Sequence, residues 1–80
     1  MLTCKIINHD ETITWEQIKT LTIPLPSGEA TILQDHAELF SLVTEGEINS
    51  RTSNDVEKDY KVSSGGACHV LNNIITVILF

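Results

Sequence analysis

Residues 24–46 read Pro24-Leu25-Pro26-Ser27-Gly28-Glu29-Ala30-Thr31-Ile32-Leu33-Gln34-Asp35-His36-Ala37-Glu38-Leu39-Phe40-Ser41-Leu42-Val43-Thr44-Glu45-Gly46. Two prolines and a glycine open the stretch and a glycine closes it. Between them lie two short apolar runs, Ala30–Leu33 and Leu39–Val43, separated by polar residues. Runs of that length bounded by turn-formers suit strands, not helices. Pro24 to Gly28 reads as a loop, because two missing amide donors would break a central ladder. Gly28 is free there to take positive φ. Gln34 to Glu38 reads as a second loop, and Thr44-Glu45-Gly46 as the next turn.

The same reading extends in both directions. Leu2, Cys4 and Ile6 alternate with Thr3 and Lys5, the period of a half-buried strand. His9 to Thr12 is a polar interruption of hairpin length. From Ile13 to Ile23 the apolar residues are Ile13, Trp15, Ile18, Leu21 and Ile23, so the alternation slips. Thr12, Thr14, Thr20 and Thr22 disfavour a helix. Two strand pieces joined by a bulge near Glu16–Thr20 are expected. Downstream, Glu47–Thr52 is a strand, and Val56, Tyr60 and Val62 are expected to face inward. Gly65-Gly66 bends the chain or permits close packing. Asn72-Asn73 suits a tight hairpin turn, since Asn tolerates positive φ. Ile74 to Phe80 is apolar on both faces apart from Thr76. The whole is an all-β fold, a small β-sandwich or flattened barrel of about 8–10 short strands forming one domain over residues 1–80.

Composition narrows function by exclusion. The net charge of −6 comes with five scattered bases, so there is no basic stripe to neutralise phosphates, and nucleic acid is not expected as a partner. No apolar run approaches the ~20 residues of a membrane span. Cys4 and Cys68 read as small, half-buried apolar residues with free thiols, with a single bridge between them as the alternative. Cys68 and His69 are adjacent in a strand and point to opposite faces, and Cys4, His9 and His36 lack ligand-like spacing, so no metal or cofactor is expected. Ser63-Ser64-Gly65-Gly66 matches neither a nucleophile elbow nor a phosphate loop. Asp35-His36 has no accompanying nucleophile or oxyanion donor, so catalysis is not expected. What remains is acidity: no lysine or arginine occurs between Lys19 and Arg51, while Glu29, Asp35, Glu38, Glu45 and Glu47 fall in that gap. Loops carry most recognition, so this segment is the candidate functional surface.

Three ordered runs carry a resemblance: I-K-T-L-T-I-P, then S-G-E-A-T-I-L-Q-D-H-A-E-L-F-S-L-V-T-E-G-E-I, then S-G-G-A-C-H-V-L-N-N-I-I-T-V. Together they resemble the N-terminal domain of the epsilon subunit of F-type ATP synthases. That family shows G-E-x-G-I-x-P-G-H-A-P, an apolar residue with P-G, and later S-G-G followed by N-x-V-T-V. Gly28, Glu29, Ile32, His36, Ala37, Val43, Gly46, Ser64, Gly65, Gly66, Asn73, Thr76 and Val77 stand where that pattern wants them. Thr31 departs from it, Gln34-Asp35 replaces Pro-Gly, Glu38 and Glu45 replace prolines, and Ala67 replaces a bulky residue.

The resemblance implies a non-catalytic rotor subunit of the central stalk, peripheral at the cytoplasmic face of the membrane, that couples ion translocation to ATP synthesis or hydrolysis. It implies c-ring contact through Glu29 and His36, with Gln34, Asp35 and Glu38 as neighbours on the loop. Charge reversal at Glu29 and Asp35 is then expected to weaken ring coupling. Ile74, Ile78 and Phe80 form the candidate contact with gamma. Family members continue into a C-terminal helical hairpin, whereas this sequence ends at Phe80; a subunit without the inhibitory arm is expected if the chain naturally ends there, and a trimmed chain would read the same. The alternative is a free-standing β-sandwich interaction module unrelated to ATP synthase. An enzyme would require a pocket gathering Asp35, His36 and His69.

Overall fold

The computed structural model describes all residues, Met1–Phe80, and contains eight strands and no helix. They are β1 (Leu2–Ile7), β2 (Thr12–Leu25), β3 (Gly28–Ile32), β4 (Leu39–Val43), β5 (Gly46–Thr52), β6 (Glu57–Val62), β7 (Gly66–Leu71) and β8 (Ile74–Leu79). Hydrogen bonding runs in the order β4-β7-β8-β1-β2-β5-β6, with β3 added on β2. Neighbours pair antiparallel except β1 and β8, which are parallel.

The long strand β2 turns this ribbon into two layers. Its first half pairs with β1, and its second half lies between β3 and β5. The register shifts where Cys4↔Trp15 gives way to Leu2↔Ile18, and again between Ile18 and Thr20 against β5. Gln17 takes φ 58° at the first shift, so the bulge falls inside the expected Glu16–Thr20 interval. Beyond it the strand passes from one layer to the other.

Inward alternation supplies the core. Leu2, Cys4 and Ile6 of β1, Ile75 and Val77 of β8, and Cys68 and Val70 of β7 join Ile48 of β5 and Val62 of β6 in one buried cluster. Residues of both layers meet in it, which is the packing of a sandwich. Two polar links close the rims. Asn8 Nδ2 donates to Tyr60 Oη at 2.9 Å, tying the end of β1 to β6. The Thr44 amide donates to the Pro24 carbonyl at 3.0 Å, tying the β4–β5 turn to the end of β2.

Two expectations need correction. Pro24 belongs to a strand, paired with Glu29, and only Pro26-Ser27 forms the turn. Its carbonyl points to Thr44, away from β3. In extended backbone the missing N–H points the same way, so no bond to β3 is lost. Val56 is exposed and not inward. It precedes β6, where its amide and carbonyl bond to the Thr52 hydroxyl and amide, and that closure directs its side chain out.

Gly66 shows why a glycine begins β7. A Cβ there would lie 2.2 Å from the Ile78 carbonyl oxygen and 3.0 Å from Leu79 Cα. The preceding Gly65 bends the chain at φ 89°.

Candidate functional site

The loop between β3 and β4 starts with a turn. The His36 amide donates to the Leu33 carbonyl at 3.2 Å, and Asp35 at the third position has φ 63°. Positive φ at that position is the type II pattern, which normally wants glycine. Asp35 therefore fills the conformational role of the glycine it replaces, as Asp and Asn do more readily than other residues.

A second turn faces it. Asn72 and Asn73 join β7 to β8 with φ 52° and 66°, as a tight hairpin requires. The Asp35 amide donates to Asn73 Oδ1 at 2.7 Å, and Asn73 Nδ2 donates back to Asp35 Oδ1 at 3.3 Å. The Asn73 carbonyl also accepts from the Thr3 amide at 3.0 Å, so one residue ties the loop, its own hairpin and the start of β1.

The rest of the loop is fastened too. His69 Nε2 donates to Glu38 Oε2 at 2.8 Å. The His69 ring stacks on Phe40 with centroids 4.1 Å apart and planes 13° from parallel. Gln34 Oε1 accepts from the Met1 amine at 2.8 Å. His36 Nδ1 donates to the Ala37 carbonyl at 2.7 Å.

These contacts sort the residues named from sequence. Asp35, His36 and Glu38 come together with Leu71, Asn72 and Asn73 around one shallow depression. His69 does not line it, so Asp35, His36 and His69 are not gathered in one pocket. Gln34 is on the same loop but turned to Met1. Glu29 is apart, opposite Pro24 near the β2–β3 turn. Four residue steps separate it from Leu33, roughly 13 Å at the usual rise. The acidic segment is thus divided: Asp35 and Glu38 on a fastened loop at one end of β3, and Glu29 exposed at the other end, with Glu45 and Glu47 exposed around the β4–β5 turn.

The outer face of the β4-β7-β8-β1 layer exposes apolar side chains on either side of a polar row, in which His69 beside Phe40 is followed by Thr76 and Lys5. Ile74, Ile78 and Phe80 are 45%, 51% and 73% exposed, and Phe40 and Leu42 of β4 are 73% and 59% exposed. Register places Leu42 beside Ala67, Ala67 beside Ile78, and Ile78 beside Ile7. Leu71 pairs with Ile74 on the same face. Phe80 is anchored past the strand end, its amide donating to Gly65 O and its carbonyl accepting from Ser64 Oγ, both at 3.0 Å. The opposite edge contrasts with this face, because β6 exposes Glu57, Lys58, Asp59 and Lys61.

Cys4 and Cys68 are buried free thiols. Burial pushes both upward in pKa, Cys4 to about 12 with further help from Cys68. In the sequence Asn73 reads as a turn residue and as part of the family pattern, but not as the clasp of the loop, because its partner lies 38 positions away. Phe40, Leu42 and Leu71 were hidden among core-like apolar runs. Alternation with Leu39, Ser41 and Val43 on the inner side turns Phe40 and Leu42 outward.

The chain matches the family described as "ATP synthase, Delta/Epsilon chain, beta-sandwich domain" over residues 1–79. No curated protein sequence matches it. Among solved structures it is similar to a chain of the Euglena gracilis mitochondrial ATP synthase, in an assembly of OSCP, F1 and c-ring. The TM-score is 0.86 at 20% identity, covering 98% of this chain and 49% of that one. It is also similar to a chain of the Tetrahymena thermophila mitochondrial ATP synthase, in its central stalk and c-ring. There the TM-score is 0.80 at 12% identity, covering 99% of this chain and 63% of that one. At these identities the likeness is one of fold, and the chain spans about half to two thirds of the length of these neighbours.

Proposed function

The chain belongs to the delta/epsilon family of ATP synthase as its β-sandwich domain, and on that premise we propose that it is a rotor component of the central stalk. In this reading it packs on gamma, stands on the c-ring, and couples ion translocation to ATP synthesis or hydrolysis without catalysing a reaction. It is peripheral, at the cytoplasmic face of the membrane. No helix is long and apolar enough to cross a membrane.

The observation that carries this reading is a division of surfaces within a domain of this family. A polar loop with His36 lies at the end of β3, and exposed apolar side chains flank the His69–Thr76 row on the outer face of β4, β7 and β8. Several large apolar side chains exposed on one face support a protein partner, here gamma against Ile74, Ile78 and Phe80. Glu29 and His36 then address the ring, with Gln34, Asp35 and Glu38 beside them. Both structural neighbours sit in assemblies that include a c-ring, which fits such a footing.

The test is reconstitution of the chain with gamma and a c-ring, measuring binding to each and ion-coupled ATP hydrolysis. Binding to both with restored coupling is expected. Glu29→Lys combined with His36→Glu should weaken ring binding while leaving the melting curve unchanged. A free-standing interaction module would bind neither gamma nor the ring.

A further inference from the structure

Asp35 and Glu38 are the two carboxylates of the β3–β4 loop, and each is engaged within the molecule. Asp35 is clasped to Asn73 by two hydrogen bonds, of 2.7 and 3.3 Å. Glu38 accepts from His69 at 2.8 Å, and the His69 ring is in turn stacked on Phe40. Asn73 lies in the β7–β8 turn and His69 on β7, so both fastenings land on one hairpin. Only His36 and Ala37 lie between them in the chain. The His36 side chain is exposed and bonds only to the neighbouring Ala37 carbonyl, and Leu33 at the start of the turn is an exposed apolar side chain.

We propose that Asp35 and Glu38 are positioning residues that peg the loop to the β7–β8 hairpin, and that the loop presents to its partner the Leu33–His36 pair, not a patch of negative charge. This rests on the reading of the loop as the ring footing and deepens it. A loop fastened at both ends loses its conformational entropy during folding, so less remains to be lost on docking. The partner surface it fits offers an apolar side chain for Leu33 and a hydrogen-bonding group for the imidazole. Of the residues assigned to the ring, Glu29 alone keeps an unengaged carboxylate, at the far end of β3.

Two kinds of variant separate pegs from contact charges. Asp35→Asn and Glu38→Gln remove charge but keep an acceptor for Asn73 and His69. Asn73→Gly and His69→Phe keep the turn conformation and the ring stacking but remove the pegs. Hydrogen exchange of the chain alone should show the Asp35 amide exchanging at least about fivefold faster in Asn73→Gly, the scale of one lost hydrogen bond. It should be unchanged in Asp35→Asn and Glu38→Gln. Ring binding should fall by a similar factor in the two peg-removing variants and change less than about twofold in the charge-removing ones. An unchanged Asp35 exchange rate in Asn73→Gly would overturn the pegs. A loss of ring binding in Asp35→Asn or Glu38→Gln as large as in Asn73→Gly would overturn the positioning role. Failure of the unaltered chain to bind any c-ring, with faster exchange still seen in Asn73→Gly, would sink the functional reading and leave the pegs standing.

Discussion

Asn73 and Asp35 hold each other by a reciprocal pair of hydrogen bonds, and both do so with left-handed backbones, at φ 66° and 63°. Two turns 38 positions apart are thereby locked face to face, each using a short polar residue where glycine is the usual choice. Conformation and clasp can be separated at Asn73. Asn73→Gly keeps the positive φ and loses the clasp, at an expected cost of about 1–2 kcal/mol. Asn73→Ala loses the clasp and adds left-handed strain of order 1 kcal/mol or more. Urea unfolding should rank the chains wild type, then Asn73→Gly, then Asn73→Ala. Equal stability of the two variants would mean that the turn does not hold Asn73 in the left-handed region.

Gly66 is the glycine with the least room for a side chain. Its missing Cβ would stand 2.2 Å from the Ile78 carbonyl, and backbone cannot yield as a side chain can. Gly66→Ala must push β7 from β8 at the start of β7, where Gly66 lies between its partners Val43 of β4 and Leu79 of β8. The expected cost is about 3 kcal/mol, the upper range of overpacking, large against the total stability of a domain this small. The variant should show a lowered urea midpoint with an unchanged slope, or fail to fold. A midpoint within error of wild type would contradict the close approach.

Much of the fold was legible because it is written locally. Alternation at Leu2, Cys4 and Ile6 marked the inward face of β1, the slip after Trp15 marked the bulge, and Asn72-Asn73 marked a hairpin. The parallel pairing of β1 with β8 was not legible, because period-2 patterning says which face is buried and not which strand lies alongside. Pro24 misled because its effect depends on which side of the strand needs a donor, a tertiary fact. Val56 looked inward by parity, but β6 starts one residue later. At the candidate site the acidity of the loop could be read, while the direction of each side chain could not. Asp35 and Glu38 turn toward Asn73 and His69, partners more than thirty positions away.

Alkaline pH should act through Cys4. Burial raises its pKa from 9.0 to about 12, so the native state favours the neutral thiol more than the unfolded chain does. The unfolded state therefore loses its proton first. The contribution to stability is complete below about pH 9 and is lost as pH rises toward 12, by up to about 1.4 kcal/mol per pH unit. Urea unfolding between pH 8 and 11 should show this decline, and Cys4→Ala should make the slope shallower. The native thiol should also resist alkylation at pH 8 until the chain unfolds. Rapid labelling of Cys4 in the folded chain would contradict its burial.

The outer face of β8 is where binding and stability should come apart. Ile74 and Ile78 are about half exposed and alternate with Ile75 and Val77, which are fully buried in the core. Threonine keeps the β-branched shape that suits a strand while removing apolar surface from the exposed side. The double variant Ile74→Thr/Ile78→Thr should therefore change folding stability by less than about 1 kcal/mol. If this face docks on gamma, the same variant should weaken that complex by tenfold or more, because it removes apolar area from the centre of the contact. Ile75→Thr is the opposite case: it places a hydroxyl in a fully buried position and should destabilise the domain by about 1–3 kcal/mol. Calorimetric titration with gamma, set beside urea curves, reads both quantities. Unchanged gamma affinity in the outer-face variant would leave the exposed isoleucines without that partner and move the contact to another surface of the sandwich.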